Sequence, residues 1–238
     1  MKAALVVVDM QEDFCPPNGS LAVQGARDIV PTINNLLANP GFAIRVVSQD
    51  YHPETHISFA SNHPPPNNRP FESYVQMNNP APGKHDEVKP QRLWPAHCVA
   101  GTKGAAVIPE VDISRVHLSV KKGMNPRVEM YSVFSDAFGN RDPVVNAQSV
   151  SADLKAFLAS QQVTDVFSVG LAGDFCVKYT AIDAALEGFR SYVVEDATRC
   201  VSPDEGWADA RRELEAAGVS IVRSDGPEIG NLSKKGLN

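Results

Sequence analysis

Short apolar runs recur along the chain, each closed by a glycine or a polar residue, and stretches with helical spacing separate them. Ala3 to Val8 is apolar without a break and ends at Asp9. Such a run marks a strand covered on both faces of a parallel sheet. Gly25 to Asn39 predicts a helix, with Ile29, Ile33, Leu36 and Leu37 on one face and Pro31 suited to its first turn. Phe42 to Ser48 and Val116 to Val120 predict strands, the second ending at Lys121-Lys122-Gly123. Ser149 to Gln161 predicts a helix carrying Leu154, Phe157 and Leu158, with Ser151 as its cap. The run Val166 to Val169 is broken by Gly170 and Gly173, and helical spacing resumes with Val177, Ala181, Ala184 and Ala185. Arg190 to Glu195 and Val219 to Val222 predict the last strands, on either side of a charged amphipathic helix over Asp204 to Ala217. Gly226 to Asn238 reads as a polar tail expected to fray.

Strands alternating with helices imply right-handed crossovers. The expected fold is α/β, a three-layer α/β/α arrangement around a central, mostly parallel sheet. The 238 residues contain no repeat and no interior linker, so one domain over residues 1–225 is expected, with the tail beyond it. Residues 60 to about 105 break the pattern. They are rich in Pro, Asn and His, lack periodicity, and extend a long loop that starts near residue 50. Irregular stretches of that length in a compact domain are usually functional or disordered.

Composition narrows the function classes. A net charge of −6 without a basic face argues against a nucleic-acid partner. No run approaches the roughly 18 apolar residues of a membrane span. Cys15, Cys98, Cys176 and Cys200 lie far apart with no C-x-x-C pair, which points to a reducing compartment, cytoplasmic or nuclear, and not to a disulfide scaffold. The sequence leaves the oligomeric state, including a homo-oligomer, open.

The candidate chemistry sits at strand ends. Cys176 falls in the first turn of a predicted helix just past a strand, where the helix dipole favours a thiolate and free N–H groups can hold an oxyanion. Asp9 ends the first strand. Asp50 and His52 end the second; two residues apart in an extended chain they project to one side, a pair suited to a first-row divalent metal. Five of the six histidines, His52, His56, His63, His85 and His97, fall between residues 52 and 97. His97, in the apolar, turn-bounded stretch that begins at Trp94, is the expected third ligand, with Cys98 a competitor. One of Lys121 and Lys122 is expected to pair with a carboxylate, the other to be solvated. In a doubly wound sheet these groups converge on the edge where ligands bind.

The motifs Val8-Asp9-Met10-Gln11 with Asp13-Phe14, Asp50-Tyr51-His52-Pro53 with His56-Ile57-Ser58-Phe59, Trp94-Pro95 with His97-Cys98-Val99 and Gly101-Thr102, Lys122-Gly123, and Gly170-Leu171-Ala172-Gly173-Asp174-Phe175-Cys176-Val177 resemble those of the nicotinamidases of the isochorismatase-like hydrolase superfamily. The resemblance runs from residue 1 to about 222, and the long stretch before Trp94 looks most like that of the eukaryotic, fungal-type members. It implies hydrolysis of nicotinamide, with pyrazinamide a candidate analogue, through a cysteine thioester. It implies Cys176 as nucleophile, Asp9 as general base and acid, and Lys122, the lysine directly before Gly, as the third member of the triad. It implies one divalent ion, most often zinc, on Asp50, His52 and His97, with His56 a ligand in some relatives and a water-holding neighbour in others. It further implies a cis Leu171–Ala172 bond, an oxyanion hole from the N–H groups of Ala172 and Cys176, and a ring pocket of Phe14, Leu21, Trp94, Tyr131 and Phe175. The alternatives are a carbamoyl- or ureido-amide hydrolase of the same superfamily, which shares Asp, Lys and Cys but generally lacks the metal set, and a non-catalytic small-molecule-binding relative.

Overall fold

The computed structural model describes residues 1–235. The chain runs β1 (Ala3–Val8), α1 (Val30–Ala38), β2 (Phe42–Asp50), β3 (Tyr74–Asn78), β4 (Val88–Arg92), β5 (Leu118–Lys122), α2 (Pro143–Asn146), α3 (Leu154–Ser160), β6 (Asp165–Leu171), α4 (Cys176–Leu186), β7 (Arg190–Arg199), α5 (Glu205–Ala216), β8 (Ser220–Val222) and α6 (Pro227–Lys235). Six strands form one sheet in the order β5-β2-β1-β6-β7-β8, and every pair in it is parallel. The chain winds outward from β1 to β5, returns to lay β6 beside β1, and winds outward again to β8. The order reverses between β1 and β6, and open α/β sheets bind ligands in the crevice at that point.

All six residues of β1 are buried, because helices cover both faces of the strand. Ala3, Leu5 and Val7 pack toward α1, through Ile33, Leu36 and Leu37, and toward α6. Ala4, Val6 and Val8 pack toward α3, α4 and α5, through Leu158, Val177, Ala181 and Leu214. Each fully buried Val or Leu here contributes about 1.5–3 kcal/mol. The alternation is the pleat itself, and the result is the expected three-layer α/β/α fold. Among the described residues, no helix is long and apolar enough to cross a membrane.

Three expectations are corrected. The tail does not fray: α6 folds because Ile229 and Leu232, three residues apart, share one face and are both 4% exposed. Gly41 lies under that helix so closely that a Cβ there would come within 2.5 Å of the Leu232 carbonyl carbon. Residues 236–238 of the expected tail lie outside the described residues. The cap of α3 is Asp153, whose carboxylate accepts the Ala156 N–H, while Ser151 Oγ accepts the Lys121 N–H instead. The irregular stretch before Trp94 contains a hairpin of β3 and β4, with Val75 opposite Gln91 and Met77 opposite Lys89.

Gly170 holds the reversal point together. Its φ is +105°, and a Cβ would lie 2.2 Å from the Val8 carbonyl oxygen of the paired strand. The Gly170→Ala variant is expected to lose at least about 2 kcal/mol of stability, since neither the backbone angle nor the spacing tolerates a methyl group. A thermal melt that superimposes on the parent's would contradict this.

Candidate active site

Parallel register brings three strand ends together. Asp50 ends β2 directly opposite Lys122, the end of β5, and Asp9 follows β1 on the other side of β2. Lys122 is wholly buried, with its Nζ 2.9 Å from Asp9 Oδ2 and 2.5 Å from Asp50 Oδ1. It also donates to the Met130 carbonyl at 3.2 Å and approaches Cys176 Sγ at 3.4 Å. Lys121, by contrast, lies over the Tyr51 ring at 3.9 Å.

Burial penalises charge on Lys122, but the two carboxylates outweigh it and hold the ammonium well above the usual lysine range. Burial likewise opposes charge on Asp50, and Lys122, His52 and His97 outweigh it, so Asp50 stays well below the usual carboxylate range. At Asp9 burial wins. Lys122 and the Ser48 hydroxyl, which donates to Asp9 Oδ1 at 2.7 Å, recover only part of the cost, and the carboxyl is raised to about 6. Cys176 opens α4, as expected, but its environment corrects the thiolate expectation. Burial pushes its thiol well above the usual range, Lys122 lowers it, and Asp9 and Asp50 raise it again. Burial thus works against the charge that the start of α4 favours. One oxygen from each of Asp9 and Asp50 and the Cys176 sulfur lie within 4.8 Å of one another.

A second group adjoins the first. Ligand atoms of Asp50, His52 and His97 also lie within 4.8 Å of one another, and all three residues are buried. His52 Nδ1 donates to the Gly123 carbonyl at 2.8 Å, and His97 Nδ1 donates to the Pro95 carbonyl at 2.7 Å. A carbonyl only accepts, so Nδ1 carries a proton in both rings, and in the neutral imidazole the Nε2 lone pair is left for a ligand. These point toward Asp50 Oδ2, at 3.6 Å and 3.9 Å. His52 Nε2 is buried with no hydrogen-bond partner. Such an orphaned nitrogen beside an ionised carboxylate fits a divalent cation with N and O ligands. Burial opposes charge on His52, yet Asp50 and Glu129 outweigh it and raise its pKa, a sign that the pocket favours positive charge. Gly123 makes the arrangement possible: its φ is +67°, and a Cβ would fall 2.4 Å from the His52 ring.

His56 stands apart from this set. Its ring lies 4.0 Å from that of His52, its Nδ1 meets Ser58 Oγ at 2.7 Å, and its Nε2 meets the Val128 carbonyl at 3.3 Å. It clusters with His52 and with Glu129, a buried carboxylate that the sequence reading did not single out. Cys98 is fully buried and joins none of the ligand clusters among the described residues. Gln11 was also missed as a support: its amide accepts the Asp50 N–H and donates to the Asp50 carbonyl, both at 2.8 Å, which fixes the end of β2.

Beside these groups lies a narrow cleft. Phe14, Leu21, Trp94, Tyr131 and Phe175 line it, together with Asp50, His97, Ala172 and Cys176. Trp94 meets Phe175 edge-on at 5.1 Å, and Tyr131 meets Phe175 at 5.6 Å. The Leu171–Ala172 bond is cis. This largely apolar cleft thus has a cysteine, a lysine–carboxylate cluster and a cation-favouring group along its lining. It suits a planar heteroaromatic ring carrying a scissile polar substituent.

Comparisons with known proteins agree with this geometry. The isochorismatase domain model matches residues 3–225. A nicotinamidase of Acinetobacter baylyi is 38% identical over 221 residues, which span 93% of this chain and 92% of that protein. The crystal structure of the yeast nicotinamidase bound to the inhibitor nicotinaldehyde superposes with a TM-score of 0.82 at 33% identity, covering 93% of this chain and 99% of that one. The pyrazinamidase of Pyrococcus horikoshii in complex with zinc gives a TM-score of 0.69 at 30% identity over 94% and 99% of the two chains. Bacterial, yeast and archaeal relatives thus align over nearly the whole chain, and the chain belongs to the isochorismatase domain family.

Proposed function

We propose that the cleft hydrolyses nicotinamide to nicotinate and ammonia, a step of NAD salvage, through a thioester on Cys176. The observation that carries this reading is the buried Lys122 ammonium, which joins Asp9, Asp50 and Cys176 beside an apolar cleft, with His52 and His97 gathered at the same Asp50. Asp9 accepts the proton of the Cys176 thiol while Lys122 stabilises the charges. The thiolate attacks the carboxamide carbon. The oxyanion is held by the N–H groups of Ala172 and Cys176, each worth roughly 3 kcal/mol in comparable sites. Asp9 returns the proton to the leaving nitrogen, and ammonia departs. Asp9 then takes a proton from water, the hydroxide attacks the thioester carbon, the C–S bond breaks, and Asp9 returns its proton to the Cys176 sulfur as nicotinate leaves.

Asp50, His52 and His97 hold the divalent ion in this reading. When bound, such an ion supplies a Lewis-acidic contact for a ring nitrogen and fixes the ring's orientation. Zinc is the proposed ion, because two neutral imidazoles and a carboxylate suit it and because the Pyrococcus relative is described in complex with zinc. Pyrazinamide, which differs by a second ring nitrogen, fits the same slot. A carbamoyl- or ureido-hydrolase would use Asp9, Lys122 and Cys176 but would leave the converging ligand atoms of Asp50, His52 and His97 without a task. The four cysteines are free and buried, which suits a reducing compartment such as the cytoplasm.

Purified protein is expected to release ammonia from nicotinamide, and the Cys176→Ala variant to lose turnover while still binding the amide. Turnover retained in that variant would sink the covalent route, and silence in both proteins would sink the nicotinamide reading. Because the Asp9 carboxyl titrates near 6 and acts as a base when ionised, kcat/KM should fall about ten-fold per pH unit as pH drops below about 6. A profile flat from pH 7 to pH 5 would remove Asp9 as the base. The Gly123→Ala variant, which displaces His52, should bind zinc at least about ten-fold more weakly in chelator competition. Unchanged affinity would take His52 out of the ligand set.

A further inference from the structure

Tyr131 stands between two spaces. One side of its ring lines the catalytic cleft. The other faces an outer groove shared with Gln91, Ser132, Phe138 and Tyr179. Tyr179, 39% exposed, stacks on Tyr131 at 5.5 Å and 19° in that groove. The ring therefore has somewhere to go if nothing holds it inward.

Two N–H groups hold it. The phenol oxygen accepts from Gln91 Nε2 at 2.9 Å and from Trp94 Nε1 at 3.1 Å, which occupies both of its lone pairs. Gln91 lies on β4, in the hairpin, and is 3% exposed. Its Nε2 also donates to the Arg92 carbonyl at 2.7 Å, so one amide hydrogen serves its own strand and the other serves Tyr131. The paired strand β3 anchors the same segment, where Met77 Sδ accepts the Glu129 N–H at 3.1 Å. A buried glutamine in an otherwise exposed strand, aimed at a residue of the cleft wall, calls for a reason.

We propose that Gln91 is a positioning residue for the hydrolysis. It keeps the Tyr131 ring against the cleft, so that the slot stays the thickness of one planar ring. This rests on the reading that the cleft takes nicotinamide. Gln91 acts through Tyr131 and not on the reacting atoms, so its loss raises KM and leaves kcat nearly unchanged.

The test is a double-mutant cycle with nicotinamide as substrate, using the full chain, Gln91→Met, Tyr131→Phe and the double variant. Gln91→Met should raise KM roughly three- to ten-fold, the worth of one hydrogen bond in this setting, with kcat within roughly two-fold of the parent. In the Tyr131→Phe background, which lacks the phenol oxygen, the same change should add less than roughly two-fold. Equal losses in both backgrounds would mean that Gln91 works through its own strand, by the Arg92 contact, and would overturn the proposal. So would an unchanged KM. A parent protein silent toward nicotinamide would overturn the functional reading itself, which separates that failure from this one. Melting temperatures accompany each variant. If Gln91→Met does not fold, Gln91→Leu, which also removes the donor, goes through the same cycle.

Discussion

A single buried ammonium sets the terms for the site. Lys122 is cut off from water, which costs several kcal/mol unless its surroundings replace the hydration. Asp9, Asp50, the Met130 carbonyl and the Cys176 sulfur replace it. One cation cannot satisfy two buried carboxylates equally, and the site resolves this asymmetrically. Asp50, which also has His52 and His97 beside it, remains an anion. Asp9, backed by Lys122 and a hydroxyl, is left at about 6, within reach of proton transfer at neutral pH. The same lysine thus holds Asp50 well below the usual carboxylate range but only partly offsets the burial that raises Asp9. Three adjacent parallel strands in fixed register achieve this, because β5, β2 and β1 each end in one of the three residues or just before it.

Much of this could be read from the sequence. The parallel strands are continuous apolar runs because both their faces are covered, and polar residues that end such runs must emerge at the ligand-binding edge. That reasoning found Asp9, Asp50, His52, Lys122 and Cys176. The helix dipole, legible in the sequence, favours a thiolate at Cys176, but the burial that opposes it is a property of the packed fold. The sequence reading missed Glu129, whose burial follows from a segment with no periodic pattern, and Gln11, whose importance lies in backbone groups far along the chain.

The hairpin escaped for a physical reason. A strand announces itself through alternating apolar residues, and β4, Val88-Lys89-Pro90-Gln91-Arg92, buries only Gln91. Its partner β3 buries only Met77. Neither strand joins the main sheet, so neither needs an apolar face. Their buried residues grip the segment Glu129–Tyr131 instead. The insertion is part of the cleft wall's support, while the sheet carries the reacting groups. α6 escaped for the opposite reason: two buried apolar residues suffice for a helix whose remaining surface is polar, and composition alone makes such a segment look unstructured.

The pairing of β1 with β6 bears on how the protein comes into being. Ala3 lies opposite Asp165, and Val8 opposite Gly170, so β1 has to wait for more than 150 further residues before this neighbour exists. Until then one edge of a wholly apolar strand is unpaired, a template for association with other chains. Contacts of such sequence separation close slowly. The nascent protein carries Asp9 long before it carries Cys176, and no intermediate short of β6 and α4 can bring the two side chains together.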